Sequence, residues 1–104
     1  MDTPTFSLSP IGHVRANAAG FCLEIAPEFR PALNGLAGFS HLDVIWWAHL
    51  FDDPQFRTIV ECDQPYKKAP AKLGIFATRS PIRPNPVVVT PVAILNIDYE
   101  RGLI

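Results

Sequence analysis

The sequence predicts an all-β domain with one short helix, folded as a barrel or a strongly curved sheet. Three observations carry that expectation. Five or six short stretches alternate apolar with polar residues, which is the period of a strand. Eleven prolines are spread over 104 residues, and an interior proline costs a helix ~3 kcal/mol. Only one stretch carries helical start and stop signals, and no G-x-G-x-x-G follows a strand, so a doubly wound nucleotide fold is not supported.

Taken in chain order, Phe6-Ser7-Leu8-Ser9 alternates, and Ile11 to Val14 continue it beyond Pro10, which reads as an edge strand. Phe21, Leu23 and Ile25 form a second strand after the turn signal Ala19-Gly20. Pro27 to Leu36 is the helical candidate, limited to one or two turns by Pro31 and stopped by Asn34-Gly35. His41 to Leu50 is the most informative strand. Leu42, Val44, Trp46, Ala48 and Leu50 share a wholly apolar parity that suits a core. His41, Asp43, Ile45, Trp47 and His49 share a mixed parity suited to a ligand cavity or an interface.

Phe51 to Ala71 lacks clean periodicity, with Asp52-Asp53-Pro54 reading as a turn, and a loop this long is functional or mobile. Lys72 to Thr78 reads as a strand with Leu73, Ile75 and Ala77 on one side and Phe76 on the other. Three prolines in six residues exclude regular structure from Arg79 to Pro86. Val87 to Asp98 returns to strand, with Pro91 marking an edge or bulge. Tyr99 to Gly102 is a turn, and Leu103-Ile104 begin a further strand.

Length and composition fit one packed domain over residues 1–104, with 48% apolar and 18% charged residues. The longest apolar run, Val44 to Ala48, is far too short to cross a bilayer. Met1-Asp2-Thr3-Pro4 carries no basic stretch leading into an apolar one, so no signal peptide is expected and the cytoplasm is the default compartment. Cys22 and Cys62 are expected as buried free thiols, and the three histidines lack zinc-ligand spacing with either, so no metal is expected.

The net charge of −1 conceals an asymmetry. Residues 1–56 hold two arginines against six carboxylates, a net of −4; residues 57–83 hold six cations against two carboxylates, a net of +4. The basic block suits phosphates or an acidic cofactor. Lys67, Lys68 and Lys72 either meet an RNA backbone or form a solvated loop.

The chemistry concentrates in Gly74-Ile75-Phe76-Ala77-Thr78-Arg79-Ser80-Pro81-Ile82-Arg83-Pro84-Asn85-Pro86. Two arginines and two small hydroxyls enter a loop that prolines stiffen, which lowers the ordering cost of gripping a ligand. Each guanidinium is a planar fork of donors matching a carboxylate or phosphate. A rigid surface turn with solvated arginines is the structural alternative.

That stretch resembles the signature of the TsaA-like (TrmO) family of S-adenosylmethionine-dependent tRNA methyltransferases. Ile11-Gly12-His13-Val14-Arg15 resembles the family's opening I-G-x-V/I-R strand, and Gly35 to Leu42 resembles its G-L-x-x-F-S-H-L block. The resemblance implies a single-sheeted β-barrel, often dimeric, that binds S-adenosyl-L-methionine and methylates the exocyclic nitrogen of a threonylcarbamoyl-adenosine beside the tRNA anticodon. It implies cofactor contacts at His49, Leu50, Arg79 and Val89. Arg83, Asn85, Lys67 and Lys68 are the candidate substrate contacts, and no residue is assigned as catalytic.

The chain also departs from the family. Ala16 to Gly20 run almost straight into Phe21 where a P-x-Q-P-G-like cofactor loop is usual, Asp43 stands where an aromatic is common, and Val87-Val88-Val89 replaces I-G-[LM]. The later D-G-T-P-V-x-D-I-K-P block is absent, so the barrel is expected to lack the family's C-terminal segment. Two alternatives follow: a non-catalytic binding or assembly module that has lost the cofactor loop, or a methyltransferase acting on a small molecule.

Overall fold

Strand β1 (Gly12–Asn17) and strand β2 (Gly20–Ile25) form an antiparallel hairpin, registered from Gly12 opposite Ile25 to Asn17 opposite Gly20. The computed structural model describes residues 3–104. The Asn17 side-chain oxygen accepts the Ala19 amide at 2.8 Å, closing the two-residue turn. Gly12 is demanded by close approach: a Cβ there would meet the Glu24 carbonyl oxygen at 2.2 Å. The strand expected at Phe6 to Ser9 does not form.

The chain divides into two units, one made of residues 3–41 with Ala93–Ile104 and the other of Leu42–Val92. In the first, Leu23 and Ile104 exchange backbone bonds of 2.8 and 3.0 Å, and the Ile25 amide donates to Gly102 at 2.8 Å. Leu103 and Ile104 therefore lie along β2, Leu103 as an isolated bridge opposite Glu24, and the strand expected to begin there does not form. Gly102 takes φ 66°, and a Cβ would collide with the Ile25 carbonyl oxygen at 2.7 Å. Arg30 ties the same corner, donating to the Ile25 and Glu100 carbonyls at 3.0 and 2.8 Å. The expected helix after Pro27 is a 3-10 helix, Pro27–Leu33, because Pro31 sits inside it. It contributes the buried Leu33.

In the second unit, strand β3 (His41–Trp47) pairs with strand β6 (Val87–Ala93). Leu42, Val44 and Trp46 turn inward and Ala48 is buried, whereas Ile45 and Trp47 are exposed, so the apolar parity holds as far as Ala48. It fails at Leu50. The backbone leaves extended geometry at Ala48 and enters a 3-10 turn, His49–Phe51, which exposes Leu50.

The one α-helix among the described residues, α1 (Pro54–Arg57), falls in the stretch expected to be irregular. Asp53 caps it by accepting the Gln55 amide at 3.0 Å, and Pro54 occupies its first turn, where a missing N–H costs nothing. Strands β4 (Glu61–Asp63) and β5 (Lys72–Gly74) form a short antiparallel ladder with Cys62 opposite Leu73. The strand expected to run to Thr78 ends at Gly74, and Ile75–Ala77 form a 3-10 turn. Ile75 is the best-buried large side chain, 2% exposed, its amide bound to the Val60 carbonyl at 2.8 Å. Burying it contributes about 2–3 kcal/mol.

Strand is the commonest regular structure among the described residues, arranged as three two-stranded sheets, and every helical segment is short. No helix among them is long and apolar enough to cross a membrane. Both cysteines are free and half-buried.

Candidate functional site

The proline-braced segment walls a cavity of about 390 Å³ lined by Phe76, Arg79, Arg83, Asn85 and Val87 to Val89. That volume falls within the range of ligand pockets, ~300–1,000 Å³. All seven residues come from one run of chain, which leaves the 3-10 turn at Ala77, passes through the irregular loop and enters β6.

The loop holds its shape through its own hydroxyls. Thr78 Oγ1 donates to the Ile75 carbonyl at 2.7 Å and accepts the Ser80 amide at 3.2 Å. Ser80 Oγ accepts the Ile82 amide at 3.2 Å. Pro81, Pro84 and Pro86 lack N–H groups, so side chains do the bracing that backbone bonds do elsewhere. The small hydroxyls of the signature thus shape the turn.

This leaves the arginines. Arg79 is exposed at the cavity wall and makes no hydrogen bond or ion pair among the described residues. Arg83 is half-buried, its guanidinium carbon 5.9 Å from the centre of the Phe76 ring. Such stacking holds a cation over an aromatic face. Phe76 itself is 79% exposed and offers a flat apolar surface at the cavity. Two cationic forks, an amide and an apolar strip of Val87, Val88 and Val89 therefore face one volume. Such a set binds a ligand with an anionic end and a flat or apolar body.

The structure brings together four of the eight residues named from the sequence: Arg79, Arg83, Asn85 and Val89. His49 and Leu50 are exposed on their 3-10 turn and are not among the cavity's lining residues. Lys67 and Lys68 are exposed in the loop between β4 and β5, where the Gln64 amide nitrogen bonds the Lys67 and Ala69 carbonyls at 2.9 Å. His41 bonds the neighbouring Ser40 hydroxyl through its Nδ1 at 2.8 Å. Trp46, expected in the core, is half-buried, with its indole nitrogen bound to Thr90. No group of histidine, cysteine and carboxylate side chains suited to a metal occurs among the described residues.

Sequence reasoning missed Arg57. Its Nε donates to the Pro84 carbonyl at 2.7 Å and one terminal nitrogen to Asn85 Oδ1 at 2.8 Å. The other terminal nitrogen pairs with Asp52 at 3.2 Å. The available signal was Asp-Asp-Pro followed by Gln-Phe-Arg, an N-cap pattern that announces a short helix with a cation in its last turn.

The model of the tRNA-methyltransferase O N-terminal domain matches residues 6–104. A "Probable S-adenosyl-L-methionine-binding protein" of Pyrococcus horikoshii is 37% identical over 86% of the chain and 65% of its own length. The tRNA (adenine(37)-N6)-methyltransferase of Escherichia coli is 35% identical over 64% of the chain and 27% of its own length. Among solved structures, TrmO from P. aeruginosa superposes with a TM-score of 0.67 at 25% identity, over 98% of this chain and 46% of that one. The chain thus spans less than two thirds of the length of each of these proteins.

Proposed function

The chain belongs to the tRNA-methyltransferase O N-terminal domain family, and from that premise we propose that it binds S-adenosyl-L-methionine in the cavity beside Arg79 and takes part in methyl transfer to an adenosine of tRNA. One observation carries the reading: residues 76–89 gather two guanidiniums, an amide and an apolar wall around one cavity of suitable size. The donor set fits the cofactor. Arg79, free of any intramolecular partner among the described residues, would hold its carboxylate, and Phe76 with Val87 to Val89 would pack against its flat base.

When bound, the cofactor supplies an electrophilic methyl group on a sulfonium. The protein's part is then chiefly alignment, since holding two reactants in near-attack geometry accounts for much of such a barrier. A stiff loop suits that task because little order remains to be imposed on binding. His49 and Leu50 enter the proposal on the family resemblance alone.

The proposed substrate is the threonylcarbamoyl-modified adenosine beside the anticodon, methylated at its exocyclic nitrogen. The name of the E. coli relative, a tRNA adenine-N6-methyltransferase, supports it. Arg83 and Asn85 would contact that nucleoside, and Lys67 and Lys68 the RNA backbone. A cytoplasmic setting, a single-sheeted barrel and a homodimer belong to the same proposal. The exposed Ile45 and Trp47 on the outward parity of β3 favour the dimer.

Calorimetric titration with S-adenosyl-L-homocysteine tests the first step. Binding is the expected result, and no heat at high protein concentration would refute the reading. Methyl incorporation into bulk tRNA from labelled cofactor tests the second; folded protein that binds the cofactor but incorporates no label would leave a binding module.

A further inference from the structure

We propose that Arg57 is the positioning residue of this cavity, acting through Asn85 to decide which polar groups the cavity recognises. The inference rests on the cofactor reading above and adds to it a residue outside the lining.

The geometry is specific. All three guanidinium nitrogens of Arg57 are engaged: Nε with the Pro84 carbonyl at 2.7 Å, Nη2 with Asn85 Oδ1 at 2.8 Å, and Nη1 with Asp52 at 3.2 Å. Two of the three acceptors are consecutive residues of the loop that walls the cavity. Asn85 lies between Pro84 and Pro86, neither of which has an N–H to tie the loop down. Arg57 supplies that tie from α1, 27 and 28 residues away in sequence.

The chemistry of Arg57 also fixes the amide. A guanidinium has donors only, so the atom of Asn85 that meets it must be the oxygen. The NH2 group of Asn85 is then what remains for a ligand. The cavity accordingly presents donors throughout, from Arg79, Arg83 and Asn85, and it selects ligands by their acceptors: a carboxylate, a hydroxyl oxygen or an unprotonated ring nitrogen. Asp52 holds the third nitrogen, so the fork is aimed before any ligand arrives.

The experiment uses the full chain with S-adenosyl-L-homocysteine as the probe. Arg57→Lys keeps a charge for Asp52 but cannot fork onto Pro84 and Asn85 together. Losing a charged hydrogen bond of this kind is expected to raise the dissociation constant about tenfold. Asn85→Asp keeps an acceptor for Arg57 while deleting the NH2, and it is expected to fold normally and lose at least ~10-fold in affinity. In the Asn85→Ala background, Arg57→Lys should have little further effect on binding, because the two act as a unit.

Affinity within twofold of the parent for either Arg57→Lys or Asn85→Asp, or full additivity of Arg57→Lys with Asn85→Ala, overturns the proposal. Hydrogen exchange without ligand separates this from the cofactor reading. Arg57→Lys should speed exchange in the peptide covering residues 82–89, and unchanged exchange overturns the anchoring itself. Absence of binding by the parent chain instead refutes the cofactor reading, and exchange then decides the anchor alone.

Discussion

The indole nitrogen of Trp46 donates to the hydroxyl of Thr90 at 2.9 Å, joining the inward parity of β3 to β6 by side chains as well as by backbone. Thr90→Val keeps the shape and removes the acceptor. The expected cost is about 1 kcal/mol, read by urea unfolding as a lower midpoint at unchanged slope. A midpoint equal to the parent's would mean that solvent replaces the bond without loss.

Ile75 anchors the second unit at 2% exposure. Ile75→Ala removes the buried methyls and leaves a void, with an expected loss of about 2–5 kcal/mol. Denaturant unfolding measures it, and a loss under 1 kcal/mol would show that the surroundings collapse around the gap.

Arg79 should matter for binding and not for stability. Its side chain is exposed and unpaired among the described residues, so Arg79→Ala is expected to leave the thermal midpoint within a degree or two. Its affinity for S-adenosyl-L-homocysteine should fall at least ~10-fold. Equal loss of stability and affinity would reassign Arg79 to the loop's structure.

Asp53 starts α1 by accepting the Gln55 amide. Asp53→Ala is expected to cost about 1 kcal/mol by chemical unfolding. Because α1 carries Arg57, the same change should also weaken cofactor-analogue binding; intact binding would show that the helix survives without its cap.

Lys67 and Lys68 are exposed on one loop. If they meet RNA phosphates, the Lys67→Ala, Lys68→Ala double variant lowers the slope of log affinity against log salt by roughly 1–2. Filter binding of tRNA at several salt concentrations reads that slope. An unchanged slope assigns both lysines to solvent.

Much of the fold was legible where geometry alone decides. The alternation from Leu42 to Ala48 places an apolar row inward because extended backbone leaves no other choice. The same alternation at Phe6 to Ser9 gave no strand, since it says nothing about whether a partner edge is available. Leu50 shows a different limit. Its parity is correct only while the chain stays extended, and Ala48 with φ −81° and ψ 72° ends that. The strand from Lys72 was cut short for the same reason, by a 3-10 turn that begins at Ile75.

The site was legible in its arginines and prolines, because those residue types state their chemistry and stiffness directly. Arg57 was not, since its partners lie 27 and 28 residues further on and no local pattern links them. Asp52-Asp53-Pro54 reads as a turn in the sequence, whereas Asp53 is the extended N-cap of α1 and Pro54 its first residue. The two acids have separate tasks: Asp52 faces the arginine and Asp53 the helix start.

A cavity lined only by residues 76–89 has a kinetic corollary. Its walls are near neighbours along the chain, so closing it forfeits little loop entropy, and contacts of short range form early. The tether from α1 spans a far wider loop and should tighten later. During refolding, the concavity is therefore expected to exist in a loose form before its amide is aimed, so that weak capture of a ligand precedes selective capture.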